Sequence, residues 1–253
     1  HELQIIYTQI KRASDGTISF KDYQYNVNAK NYFYPASTVK FPIALLALEK
    51  LNSITPLSDS INFSYKPNGT KINFKKEISK LFALSDNEAS NNLLEFIGFD
   101  YLNSKMHNKG LSPFSVSHRL SVANSGNKQT STIYLFKGDS LIAELPSVTG
   151  SKVDALQLNS IKKGIGYTEN DAQVMGAFDF SAKNYYPLIT LHNTLKRLLF
   201  PNEFQLNERF NINDKDREFI LSSMYQLPRE QGFDSKEFYD SYCKFLIFGD
   251  TKD

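Results

Sequence analysis

The sequence predicts an α+β fold within the broad α/β class of mixed helix and strand, and three observations carry that prediction. Two strand-like runs around a turn open the chain, a series of segments with helical periodicity follows, and a second hairpin pattern interrupts the helices near residue 140. The 253 residues are 41% hydrophobic and 22% charged, an ordinary globular composition with enough chain to bury a core without metal or disulfide staples.

Residues 3–10 and 18–26 are rich in β-branched and aromatic side chains, and Ser14-Asp15-Gly16 between them is a turn signal, so a hairpin is expected. A loop through Pro35 and Ala36 then leads to Ser37-Thr38, which reads as a helix start. From Val39 to Leu51 apolar residues fall on nearly every side, the pattern of a helix set inside a domain. Pro42 is compatible with it because the first helical turn has no use for that backbone donor. Helices are predicted at about 74–84, 86–97, 100–109, 186–199, 214–226 and 235–246. Ile133–Phe136 and Leu141–Leu145, joined by Lys137-Gly138-Asp139-Ser140, form the second predicted hairpin, and Gly164 and Gly166 mark a loop.

A net charge of +2 with scattered Lys and Arg argues against a polyanionic partner, so no nucleic acid is expected. The longest apolar run, Phe41–Leu48, is far shorter than the roughly 20 residues that span a bilayer, so no transmembrane segment is expected in this chain. The single Cys243 excludes an internal disulfide and, flanked by Tyr242 and Phe245, reads as an inert core thiol. Four histidines (His1, His107, His118 and His192) show no metal-ligand spacing, and there is no Gly-rich phosphate loop, so neither a metal nor a cofactor is expected. His192 reads as a partly buried surface residue of its helix.

The candidate chemistry begins with Ser37-Thr38-Val39-Lys40. Residues three apart share a helix face, so a serine and a lysine at this spacing can meet. A serine hydroxyl becomes a good nucleophile when a neighbour takes its proton, and a lysine can do so only when neutral. Burial in an apolar helix pushes a lysine that way. The same four-residue pattern recurs at Ser125/Lys128, Ser160/Lys163 and Ser241/Lys244, and its plain reading is a helix-capping serine with a solvated lysine. Position separates Ser37 from these, since it alone lies between a hairpin and a buried helix. The second element, Ser85-Asp86-Asn87, occurs once. All three residue types favour helix caps; read functionally, Ser85 relays a proton, Asp86 holds the turn and the Asn87 amide faces a substrate carbonyl.

A Ser-x-x-Lys at the head of a buried helix followed some fifty residues later by Ser-Asp-Asn resembles class A β-lactamases and penicillin-binding proteins. "FYPASTVKFPIALLALEKL" is similar to that superfamily's nucleophile helix, and "LSDNEASNNLLEFIGFDYLNSKM" to its Ser-Asp-Asn segment. "YPLITLHNTLKRLLFP" and "INDKDREFILSSMYQLP" look like two of its later helices. The resemblance covers about residues 1–110 and 186–230. It implies a β-lactamase/transpeptidase-like domain over 1–253. The sheet part is expected at 1–36 and the C-terminal end, an all-helical region at about 37–230, and an insertion with a hairpin at about 111–185. It further implies a serine hydrolase with Ser37, Lys40 and Ser85 catalytic and Asn87 binding substrate. The expected substrates are a β-lactam or a peptidoglycan-like peptide, and the expected setting is a bacterial periplasm, secretion or envelope anchoring. A binding protein on the same scaffold is the alternative of another class.

Two features depart from the superfamily's pattern. Its third motif, Lys-Thr/Ser-Gly, occurs nowhere in the sequence; it is expected after the helix at 235–246, which implies a C-terminally shortened chain. No motif fixes the glutamate that activates deacylating water in class A enzymes. Glu169 and Asp179 qualify by position only, and solvated loop carboxylates are the plainer reading of both.

Overall fold

The computed structural model describes residues 2–55, 60–169 and 171–244, in two compact units. One comprises residues 1–39, 103–117 and 152–209; the other comprises 40–102, 118–151 and 210–253. Helices and antiparallel sheets alternate along the chain, the α+β class that the sequence predicts.

In the first unit, β1 (Ile5–Arg12) pairs with β2 (Ile18–Tyr25) in unbroken register from Ile5 opposite Tyr25 to Arg12 opposite Ile18. Gly16, with φ of +86°, supplies the left-handed residue that the connecting turn needs. One face of this hairpin meets α5 (Leu188–Leu199). There the Thr8 hydroxyl lies 2.8 Å from His192 Nε2, Lys196 Nζ lies 2.8 Å from Asp22, and the Phe20 and Phe200 rings pack edge-on. Ile5, Tyr7, Tyr23 and Tyr25, on the other face, are exposed. His192 is thus the partly buried residue expected of it. Four short strands follow in the same unit. β7 (Lys162–Lys163) pairs with β10 (Phe178–Asp179), and β8 (Gly166–Glu169) with β9 (Ala172–Met175). The loop predicted around Gly166 is therefore a hairpin. Glycine had masked the strand, and at Gly166 a Cβ would come within 3.1 Å of the Val174 carbonyl oxygen.

The second unit is built on α1 (Lys40–Ile54), which is buried from Lys40 through Glu49 and again at Leu51. It packs against α2 (Phe74–Ala83), α3 (Asn87–Ile97) and α6 (Asp214–Tyr225). α4 (Phe99–Asn108) contributes residues to each unit. The 3-10 turn Ala36–Val39 precedes α1, so the predicted helix start is a tighter turn and α-helical geometry begins only at Lys40. Pro42 falls in the first turn of α1.

The second unit also contains a four-stranded sheet, in which the predicted second hairpin supplies two strands and the sequence reading omits the other two. β3 (Ile61–Ser64), β4 (Ile72–Asn73), β5 (Ile133–Lys137) and β6 (Ser140–Leu145) pair in the order β4-β3-β5-β6, all antiparallel. Its inner residues Ile61, Phe63 and Leu135 are fully buried, and Phe63 packs at a tilt against Phe74, which packs edge-on against Phe96. Buried carboxylates bind the helices together. Asp216 accepts from Asn52 and pairs with Lys75 at 3.2 Å, and Glu77 accepts from Asn92 at 2.8 Å and from Lys80 at 2.9 Å.

The helix predicted at 235–246 is a run of turns over 235–244, and its last two residues lie outside the described residues, as does the C-terminal end assigned to the sheet part. Consecutive turns satisfy the same aromatic spacing, with Phe238 edge-on to Tyr242, and the Asp234 carboxylate accepts the Lys236 N–H in competition with a helix. Truncating Leu46, which is fully buried in α1, to alanine should cost about 2–5 kcal/mol, measured as a fall in the urea-unfolding free energy with an unchanged m-value.

Candidate active site

α3 begins where Asp86 leaves extended backbone and accepts the Ala89 N–H at 2.8 Å, an ordinary side-chain cap. Ser85, just before it, has φ of 51°, a left-handed conformation that costs a serine energy. That backbone turn presents both oxygens of Ser85 to one side chain. Lys40 Nζ donates to the Ser85 hydroxyl at 2.9 Å and also to the Ser85 carbonyl.

Lys40 is only 2% exposed, and burial pushes its amine down to about 8, with Asp86 acting against the shift. Burial alone does this elsewhere in the unit: Lys50 is also pushed down to about 8. The difference lies in the partners. Lys50 donates to the Phe96 and Ile97 carbonyls at 2.6 and 3.0 Å, which caps the end of α3, whereas Lys40 faces a hydroxyl able to take or give a proton. An amine lowered to about 8 beside a serine hydroxyl has the geometry that a proton transfer needs.

Asn87, the first residue of α3, is half-buried, and its Nδ2 donates to the Ser121 hydroxyl at 3.0 Å. Ser121 belongs to a loop that the sequence reading left unassigned. The Ser-Val-Ala-Asn run at 121–124 carries no motif, so only the fold reveals this contact. Ser37, in the first unit, is exposed in the turn Ala36–Val39. That turn is fixed locally: the Thr38 N–H and hydroxyl both donate to the Pro35 carbonyl, at 3.0 and 2.6 Å. Ala36, immediately before Ser37, has φ of 45°, so strained backbone precedes Ser37 as it precedes α3. The structure thus joins Lys40 to Ser85 and Asn87 to Ser121.

Glu169 is exposed on β8. Asp179 is exposed on β10, and the Ser181 backbone N–H holds its carboxyl below the usual carboxylate range. Both fit the reading as solvated carboxylates. Cys243 is half-buried, which raises its thiol. Among the described residues no group of three or more His, Cys, Asp or Glu is placed to hold a metal, and no helix is long and apolar enough to cross a membrane; His1 lies outside them.

The model of the beta-lactamase enzyme family (Beta-lactamase2) matches residues 16–137, just under half of the chain. The match takes in Ser37, Lys40, Ser85, Asn87 and Ser121, and it runs past residue 110, where the visible resemblance lapsed. The later segment 186–230 lies outside it. No curated protein and no solved structure matches the chain. The α+β architecture and the matched segment agree: residues 16–137 are similar to the beta-lactamase enzyme family, which supports the resemblance to the superfamily of class A β-lactamases and penicillin-binding proteins.

Proposed function

We propose that the protein is a serine hydrolase that forms an acyl-enzyme through Ser37 on a β-lactam or a related strained or activated amide. The observation that carries this reading is the buried Lys40 amine, lowered to about 8 by burial, with the Ser85 hydroxyl 2.9 Å away. Ser37 stands three residues before Lys40 at the head of the buried helix, the order expected of a nucleophile and its proton acceptor.

In the proposed reaction, neutral Lys40 takes the Ser37 proton as Ser37 Oγ attacks the lactam carbonyl carbon. The carbonyl π electrons move onto oxygen, where the Ser37 backbone N–H helps to hold the negative charge. As the carbonyl re-forms, the ring C–N bond breaks and the departing nitrogen receives a proton through Ser85, which is replenished from Lys40. Asn87 orients the substrate by donating an amide N–H to a side-chain carbonyl. Water then adds to the ester and releases Ser37.

A second reading, an acyl-enzyme that deacylates slowly in the manner of penicillin-binding proteins, is favoured by the settings of Glu169 and Asp179. Both are exposed, and Asp179 is made a weaker base by its turn hydrogen bond. An envelope, periplasmic or secreted setting accompanies either reading as part of the proposal.

Incubation of the full-length protein with penicillin G should add one penicilloyl group to Ser37 by intact-mass and peptide mass spectrometry, and Ser37→Ala should abolish it. Labelling that persists in Ser37→Ala overturns the assignment. Turnover of a chromogenic cephalosporin separates the two readings, since the slow deacylator gives a stoichiometric burst and little beyond it. The pH dependence has a definite sign. The base is the unprotonated amine, so acylation should rise with pH through an apparent midpoint near 8 and be lost as the amine protonates below it. Asp86 raises the Lys40 midpoint, so Asp86→Asn should move this limb to lower pH; an unmoved or raised limb excludes Lys40 as the titrating group.

A further inference from the structure

Three residues along one face of α3 each hold the same loop. Asn87 donates to the Ser121 hydroxyl at 3.0 Å. One turn on, Asn91 donates to the Leu120 carbonyl at 2.8 Å and accepts the Leu120 N–H at 2.9 Å, so both of its amide ends are engaged. One turn further, Glu95 takes Arg119 Nε at 2.5 Å on one oxygen and the Ser131 N–H at 2.7 Å on the other. The guanidinium of Arg119 in turn gathers the loop onto itself, donating to the Asn127 and Gln129 carbonyls. Asn91 is buried, and both members of the Glu95–Arg119 pair are nearly so, which makes these two the anchors. The Asn87–Ser121 contact is partly exposed at the Asn87 end and exposed at the Ser121 end, and it contributes little to holding the loop down.

A weak, exposed contact does not by itself call for a costly backbone, yet Ser121 has φ of 51°. Left-handed non-glycine residues persist where their surroundings over-determine them, and they gather at functional sites. Ser85 has the same φ of 51° and uses it to put its hydroxyl on Lys40. Ser121 uses it to put its hydroxyl on Asn87.

We infer that Ser121 is a positioning residue of the active site, presented by the anchored loop 119–131 so that its hydroxyl fixes the plane of the Asn87 amide, and that it thereby selects substrates carrying a side-chain amide carbonyl. The inference rests on the hydrolase reading above. With one Nδ2 hydrogen committed to Ser121, the second remains for a substrate carbonyl in a fixed direction, and a methyl-for-hydroxyl change would let the amide rotate.

The test uses the full-length protein and the kinetics of penicillin G acylation, read by mass spectrometry. Ser121→Ala should raise the concentration for half-maximal acylation about three- to ten-fold, the worth of one hydrogen bond, and change the limiting rate less than about two-fold. Ser121→Thr keeps the hydroxyl and should restore the wild-type value, and Ser125→Ala in the same loop should match wild type. In an amide-selective NMR spectrum Ser121→Ala should also shift the Asn87 side-chain signals while leaving those of Asn91 in place. An unchanged half-saturation in Ser121→Ala, a Ser121→Thr as impaired as the alanine variant, or a loss confined to the limiting rate overturns the inference while the hydrolase reading stands. A wild-type protein that takes no penicilloyl group at Ser37 overturns the hydrolase reading, and the inference with it.

Discussion

The proposed chemistry of this structure depends on taking one lysine out of water. α1 is apolar on all sides, so its first residue, Lys40, enters the second unit with nowhere to send its amine except the turn before α3. There the amine finds a carbonyl and a hydroxyl on the same residue, which replace some of its lost hydration without supplying a carboxylate in contact. A tight ion pair would hold the amine charged at every accessible pH. With two neutral oxygens as partners, burial lowers it to about 8, and Asp86, whose carboxylate is bound to the α3 backbone, supplies only a restraining field. The same helix holds a counterexample in Lys50, equally depressed but aimed at two main-chain carbonyls. Burial sets the proton affinity, and the partner decides whether that affinity has a chemical use.

Much of this was legible in the sequence, for identifiable reasons. The long helices declare themselves through periodicity and caps: Asp86 and Asn213 each sit one residue before a helix and accept its third backbone N–H. The N-terminal hairpin follows from a turn with glycine at its left-handed position. The Lys40–Ser85 meeting was foreseeable from two short motifs because each is tied to a helix end, where the fold leaves little freedom. What escaped was non-local. β3 and β4 are four and two residues long, too short to show a period, and they exist because β5, some seventy residues later, pairs with β3. The turns at 235–244 escaped for the opposite reason: aromatic residues spaced like a helix are served equally well by local turns once aspartates compete for the backbone.

The loop 119–131 shows the same limit at the site itself. Nothing in Ser121-Val122-Ala123-Asn124 points to the contact with Asn87, and Asn91 and Glu95 look like ordinary polar positions on an amphipathic helix. Their roles appear only when α3 is seen as a rack, with polar residues at a four-residue interval gripping successive parts of one loop. The backbone conformations add a signal that no composition carries. Ala36, Ser85 and Ser121 are three of the left-handed non-glycine residues among those described, and each adjoins or belongs to the set of residues assigned chemistry.

The rack on α3 also constrains how the gene can vary. An α-helix advances about 100° per residue, so inserting or deleting a single codon between Asn87 and Glu95 would swing one end of the row away from its partners. The length of this helix is therefore locked in a way that the length of the loop is not. Between Ser121 and Asn127 no helical register ties the chain to that row, and the stretch is gripped at its two ends by Asn87 and Arg119.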